Sequence, residues 1–153
     1  MLYLGKYEFQ EDLAKRQSSL MFFPADEDEA ASWSFDCGFL SGNFEGEDIS
    51  PSICINPIET ECHCAAELAG QSFSVDTIEE CDEREDTFYI FEHEPLCNYT
   101  VTVKEIKNSM ALIQCVGRAI IDGYHDELPT IDFSMEVLVP VIEDKSDWDK
   151  LNL

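Results

Sequence analysis

Apolar residues recur at every second position through most of this chain, the period of strands that bury one face. Tyr3, Gly5, Tyr7 and Phe9 share one face of a first predicted strand. Leu20-Met21-Phe22-Phe23 is a compact apolar run closed by Pro24. Trp33, Phe35, Cys37 and Phe39 alternate with Ser34, Asp36 and Gly38, and Ser41-Gly42-Asn43 supplies turn residues. Ile53 and Ile55 predict a short strand before Pro57, a residue that belongs at a strand end or a sheet edge. Phe73 and Val75 alternate with serines. Thr87-Phe88-Tyr89-Ile90-Phe91 is apolar on both faces, the pattern of a central strand covered on both sides.

The last third reads as a meander. Tyr99, Val101 and Val103 lead to a turn at Lys107-Asn108-Ser109. Ala111, Ile113, Cys115, Gly117, Ala119 and Ile121 line a long second strand. Ile131, Phe133, Met135, Val137 and Val139 line a third, which Pro140 is expected to stop.

Three segments interrupt the alternation. Glu11 to Ser19 is polar and suits one or two helical turns or a plain connection. Glu61 to Leu68 fits a strand with Cys62, Cys64, Ala66 and Leu68 on one face, or equally a helix stopped by Gly70. Thr77-Ile78-Glu79-Glu80 suits a helix start, with Asp76 as cap and Glu79 three residues on. The prediction is a mainly β fold: an antiparallel β-sandwich or strongly curved sheet with one or two short helices. Residues 1–153 are expected to form one domain with no internal repeat, with 143–153 as an acidic C-terminal tail anchored by Trp148.

Composition narrows the partners. The chain has 153 residues, enough for one domain with a real core, and 44% of them are hydrophobic, too many for acidity alone to leave it disordered. Nine basic against 33 acidic residues give a net charge of −24. That charge disfavours direct binding to nucleic acid or to an anionic membrane. The apolar runs fall far short of the roughly 20 residues a spanning helix needs. The start, Met1-Leu2-Tyr3-Leu4-Gly5-Lys6-Tyr7-Glu8, does not read as an export signal, so a cytoplasmic location is expected. The seven cysteines are odd in number and several fall on apolar faces, which predicts reduced, buried thiols.

Candidate chemistry is sparse. Cys62-His63-Cys64 has the residue types of a metal site, but on a strand His63 points away from both cysteines, and no second ligand pair follows. Glu92-His93-Glu94 and His125-Asp126-Glu127 put histidines beside carboxylates, an arrangement usable for acid–base catalysis. With 33 acidic residues in 153 such neighbours arise by chance, so solvated histidines are the expectation. Asp122 to Glu127 lacks the spacing of a calcium loop. No catalytic residue, no cofactor and no metal is predicted, and the chain is not expected to be an enzyme. A small hydrolase or isomerase using His93 or His125 with a carboxylate is the remaining catalytic alternative.

The unusual feature is the acidic run. Asp76, Glu79, Glu80, Asp82, Glu83, Glu85 and Asp86 face a single base, Arg84, and the run continues to Glu94. Asp26 to Glu29, Glu45 to Asp48 and the tail add more. A net magnitude of about 2–8 suffices for the solubility of a small domain. The excess points to a basic protein partner, met quickly through complementary fields. In general character the chain resembles bacterial immunity proteins that neutralise polymorphic or contact-dependent toxins. That resemblance rests on the Asp76-to-Glu94 run, the lack of an export signal and the Ile131-to-Val139 meander. It implies a cytoplasmic antitoxin that occludes a basic toxin, for a nuclease by placing carboxylates where substrate phosphates bind. The expected partner-binding residues are Glu79, Glu80, Asp82, Glu83, Glu85 and Asp86, with Tyr89, Phe91 or Tyr124 as an aromatic centre. A non-inhibitory β-sandwich module that binds a ligand or protein is the alternative.

Overall fold

The structure is a computed structural model that describes residues 1–13, 18–124, 127–144 and 147. Within them the chain forms β1 (Leu2–Leu4), β2 (Tyr7–Phe9), β3 (Ser19–Phe23), β4 (Ala31–Gly38), β5 (Gly42–Phe44) and β6 (Glu47–Ile49). There follow β7 (Ser52–Thr60), a 3-10 turn (Ala65–Leu68), β8 (Ser72–Val75) and the helix α1 (Ile78–Arg84). The chain ends in β9 (Thr87–Tyr89), β10 (His93–Lys107), β11 (Met110–Ile120) and β12 (Thr130–Ile142). His125, Asp126, Trp148 and most of the predicted acidic tail lie outside the described residues, as does the middle of the polar stretch before β3.

The mainly β expectation holds, but the sandwich does not. Seven strands, in the order β11-β10-β9-β7-β4-β3-β12, close on themselves through the β11–β12 pair. Closure depends on strands long enough to use different neighbours along their length. β12 pairs β11 on one edge, while its other edge meets β1 through Phe133–Met135 and then β3 through Val141 and Ile142. The β3–β12 contact is parallel; the other named pairings are antiparallel. β10 likewise meets β9 through residues 93–95 and β8 through residues 99–102. Register shifts in the β10–β11 ladder, between Leu96 and Asn98 and between Val103 and Glu105, add the bend that a closed sheet requires.

The barrel interior is one apolar cluster. Trp33, Phe35 and Cys37 of β4, Ile53, Ile55 and Ile58 of β7, and Phe88 of β9 all point inward, where Phe88 meets Phe133 with ring centroids 4.9 Å apart. Burying each large side chain contributes roughly 1.5–3 kcal/mol before entropy is counted. Among the described residues no two sulfurs are bridged, and Cys37, Cys81 and Cys115 are buried. Burial pushes the thiols of Cys37, Cys54 and Cys81 up to about 12, so they stay protonated and are poor nucleophiles. Among the described residues no helix is long and apolar enough to cross a membrane.

Local expectations shift where the backbone turns or bulges. The first predicted strand is a hairpin: Gly5, at a φ of +55°, turns the chain so that Leu4 pairs with Tyr7. Leu2, Leu4 and Phe9 then point inward while Tyr3 is exposed. The turn expected at Ser41-Gly42-Asn43 sits instead at Glu45-Gly46, both at positive φ, between β5 and β6. β7 runs through Pro57 because Asn56 and Pro57 together oppose Ser34, a bulge that removes Pro57 from the ladder and returns Ile58 to the interior. β12 runs past Pro140 because Val141, not the proline, donates to the Ser109 carbonyl, at 2.9 Å. The segment from Glu61 to Leu68 is neither strand nor full helix, but a single 3-10 turn that buries Ala65 and Leu68. Of Thr87 to Phe91 only Thr87–Tyr89 is strand; Phe88 points into the barrel while Thr87 and Tyr89 on the other face are half-buried, so the strand is not fully covered on both sides.

Candidate partner-binding surface

The predicted acidic site begins with α1. Thr77, not Asp76, caps the helix: its Oγ1 accepts the Glu80 N–H at 3.2 Å, which moves the capping pair one residue along. α1 buries only Cys81 against the barrel, and Glu79, Glu80, Asp82, Glu83 and Glu85 are exposed. Glu85 ends the helix in the left-handed region, φ 59°. That conformation costs a residue with a Cβ about 1–2 kcal/mol, whereas glycine adopts it freely. Glu85→Gly is therefore expected to raise stability by about 1 kcal/mol in urea denaturation; a loss would show that the Glu85 side chain contributes more than its backbone strain.

Asp86 is the exception in the acidic group. It is fully buried, so it presents no carboxylate to a partner, and its place among the binding residues is corrected. Its Oδ1 accepts the Asn56 N–H at 2.8 Å, and its Oδ2 accepts Arg84 Nε at 2.7 Å and the Tyr99 hydroxyl. Arg84 also donates to the carbonyls of Asn56 (2.7 Å) and Pro57 (3.3 Å), and its guanidinium lies 4.9 Å from the centre of the Phe73 ring. The Asn56 side-chain amide returns a bond to the Glu85 carbonyl at 2.7 Å.

The reason lies in the sheet. β9 begins at Thr87 opposite Cys54, yet β7 continues, so among the described residues the edge of β7 beyond Cys54 has no strand beside it. Arg84 and Asp86 satisfy those edge groups from the end of α1. The sequence pattern alone does not single out Arg84, Tyr99 and Asn56 as site residues. Its one legible sign is a lone arginine inside a run of acids.

The aromatic candidates divide. Tyr89 is half-buried on the barrel wall, its ring 4.9 Å from that of His93. Phe91 packs edge-on against Phe44 at 6.0 Å, and Phe44 rests on Tyr7 at 5.1 Å. Tyr124 is 80% exposed and donates its hydroxyl to Glu92 Oε1 at 2.8 Å. Phe91 and Tyr124 thus line one groove of about 320 Å³ with Glu47, Glu92, Glu94 and Asp122. Asp122 Oδ1 accepts the Tyr124 N–H at 3.0 Å, which closes a turn through Gly123. Glu94 lies across Gly123 so closely that a Cβ there would stand 2.6 Å from the carboxyl carbon. Burial, helped by Glu92 and Asp122, raises the Glu94 pKa, and the bond to Glu92 raises that of Tyr124.

The groove and the α1 carboxylates flank opposite ends of β9, a three-residue strand about 10 Å long. The structure therefore brings Phe91 and Tyr124 together but joins neither to the helix. Glu47, Glu92, Glu94 and Asp122 are not among the residues expected from sequence. Glu92-His93-Glu94 carries a usable signal, because a period of two puts both glutamates on one face.

Of the candidate histidines, His93 and His63 are described and neither lines the groove. His93 is exposed on the barrel wall, and His125 lies outside the described residues. At Cys62-His63-Cys64, the Glu67 carboxylate accepts the His63 N–H at 2.8 Å and sits 3.5 Å from its ring Nδ1, while Cys62 Sγ donates to the Glu67 carbonyl. Glu67 thereby fixes the loop that leads into the 3-10 turn. No protein-family model, curated protein or solved structure matches the chain.

Proposed function

We propose that this protein is a stoichiometric inhibitor of the immunity type, acting in the cytoplasm on a basic protein toxin. The observation that carries the reading is the inward turn of Arg84. The only base in the Asp76-to-Asp86 run is engaged with Asp86, Asn56 and Pro57, and leaves Glu79, Glu80, Asp82, Glu83 and Glu85 as an outward acidic face. That face is held in a fixed orientation by a buried network, so little order has to be imposed when a partner docks. Against a positively charged nuclease cleft it would stand where substrate phosphates sit, and its field would speed the encounter. No step of this function requires a bond to be made or broken by the inhibitor.

The test is the association rate with a basic toxin domain as ionic strength is varied. The triple variant Asp82→Lys, Glu83→Lys, Glu85→Lys reverses charge in the C-terminal half of α1, where cations suit the helix dipole and the fold is spared. It is expected to slow association by about 10- to 100-fold and to flatten the salt dependence. An unchanged rate and salt slope would sink the proposal. Binding that leaves the toxin active would favour a non-inhibitory binding module instead.

A further inference from the structure

The groove between the β9–β10 hairpin and the β11–β12 loop is built unlike the α1 face, and we infer that it receives one arginine side chain of the basic partner. The guanidinium would rest against Phe91 and Tyr124 and pair with Glu92 and Glu94. This inference rests on the reading of the protein as a binder of basic proteins, and it names the anchor of that contact.

Size sets the first limit. At about 320 Å³ the groove sits at the lower end of the range for ligand sites, enough for one side chain rather than a large ligand. Charge sets the second. Glu47, Glu92, Glu94 and Asp122 line it, and no lysine or arginine among the described residues does. Burial and the nearby charges of Glu92 and Asp122 raise the Glu94 pKa, so a cation bound beside Glu94 would be favoured. The Tyr124 hydroxyl occupies only one oxygen of Glu92.

The walls decide the kind of cation. A hard metal ion wants about six to eight oxygens and no aromatic surface, and among the described residues no group of three His, Cys, Asp or Glu side chains is placed to hold one. Phe91 and Tyr124 instead line the groove with aromatic rings, whose faces attract a cation within about 6 Å. A planar guanidinium stacks on such faces while its fork of donors reaches carboxylates at its edge; an ammonium is a compact, strongly hydrated point charge and cannot do both. Phe91 is held by Phe44, and Tyr124 by its bond to Glu92 and the Asp122 turn, so both walls stand before the ligand arrives.

Nuclear magnetic resonance titration of the full chain with N-acetyl-arginine methylamide, and separately with the lysine analogue, tests the pocket itself. Saturable shifts at Phe91, Gly123 and Tyr124 are expected for the arginine probe, with the lysine probe at least about 5-fold weaker. Tyr124→Ala, at an exposed position that should leave the fold intact, and Glu92→Gln should each weaken the arginine probe at least about 5-fold. Indifference of both variants, or equal binding of the two probes, overturns the inference. A second arm separates it from the wider reading. If Tyr124→Ala leaves the affinity for a basic toxin unchanged while the α1 charge reversal lowers it, the arginine anchor fails and the inhibitor stands. If arginine binds in the groove but no basic toxin binds the protein, the pocket stands and the inhibitor fails.

Discussion

Replacing Gly117 by alanine is expected to lower stability by about 3 kcal/mol or more, or to prevent folding altogether. Gly117 lies in β11 directly opposite Tyr99 of β10, next to the register shift at Cys97. A Cβ at this position would fall inside the van der Waals envelope of the Asn98 carbonyl oxygen, 2.9 Å from the Tyr99 Cα and 3.0 Å from its Cβ. Those neighbours are backbone or fixed to it, so none can swing away as the tip of a flexible side chain would. Overpacking of a well-filled core costs about 1–3 kcal/mol even where side chains can adjust, and here the ladder itself must move. Gly46→Ala is the control. Gly46 has a positive φ of +87°, but an added methyl group would meet nothing within 4 Å. Only the backbone strain of about 1 kcal/mol then applies. Urea denaturation of the two variants should differ by at least about 2 kcal/mol; equal losses would mean that the bulge at Cys97 yields more readily than its geometry implies.

Asp86→Ala is the second large effect, with an expected loss of about 3 kcal/mol, because it removes a fully buried carboxylate and leaves the half-buried Arg84 charge without its partner. Three donors would lose their acceptor at once: Arg84 Nε, the Tyr99 hydroxyl and the Asn56 N–H. The first two hold α1 against the barrel, and the third satisfies an edge of β7 that no described strand covers. Tyr99→Phe removes one of these bonds and leaves Asp86 two donors, so a smaller loss of about 1–2 kcal/mol is expected. Arg84→Met combined with Asp86→Ala should recover part of the damage, since no charge is then left without its partner. Chemical denaturation of the single and double variants gives the coupling energy directly. Strictly additive losses would mean that Arg84 and Asp86 act independently despite their 2.7 Å contact.

The two effects meet at Tyr99. Gly117 leaves room for the Asn98–Tyr99 backbone and the Tyr99 Cβ, and Tyr99 carries its hydroxyl to Asp86. The barrel wall and the acidic helix are thus fastened at one residue. Loosening that point would also loosen the face proposed to meet a partner, so Tyr99→Phe should weaken toxin binding less than the α1 charge reversal but more than a surface substitution remote from α1.

What the sequence determined by itself is what local chemistry can express. A period of two, read through Trp33, Phe35 and Cys37 or through Val137 and Val139, placed those side chains on an inward face, and they are buried. The turn at Asn108-Ser109, both residues in the left-handed region, was legible for the same reason. So were the absence of a spanning helix among the described residues and the exposure of the α1 glutamates. Tertiary structure decided the rest. Whether a curved sheet stays open or closes depends on Leu20 and Met21 pairing with Val141 and Ile142 from the other end of the chain, a contact no local pattern encodes. Gly5 and the Asn56-Pro57 bulge reset the inward face by one residue, and a shift of one exchanges inside for outside. Asp86 reads like its acidic neighbours in sequence, but an unpaired strand edge drew it into the interior. The groove draws on three segments, around Glu47, Phe91 to Glu94 and Asp122 to Tyr124; the β10–β11 ladder sets the last two side by side, and the separate β5–β6 hairpin supplies the first. Period and charge are properties of neighbours along the chain; closure, edge satisfaction and site assembly belong to neighbours in space.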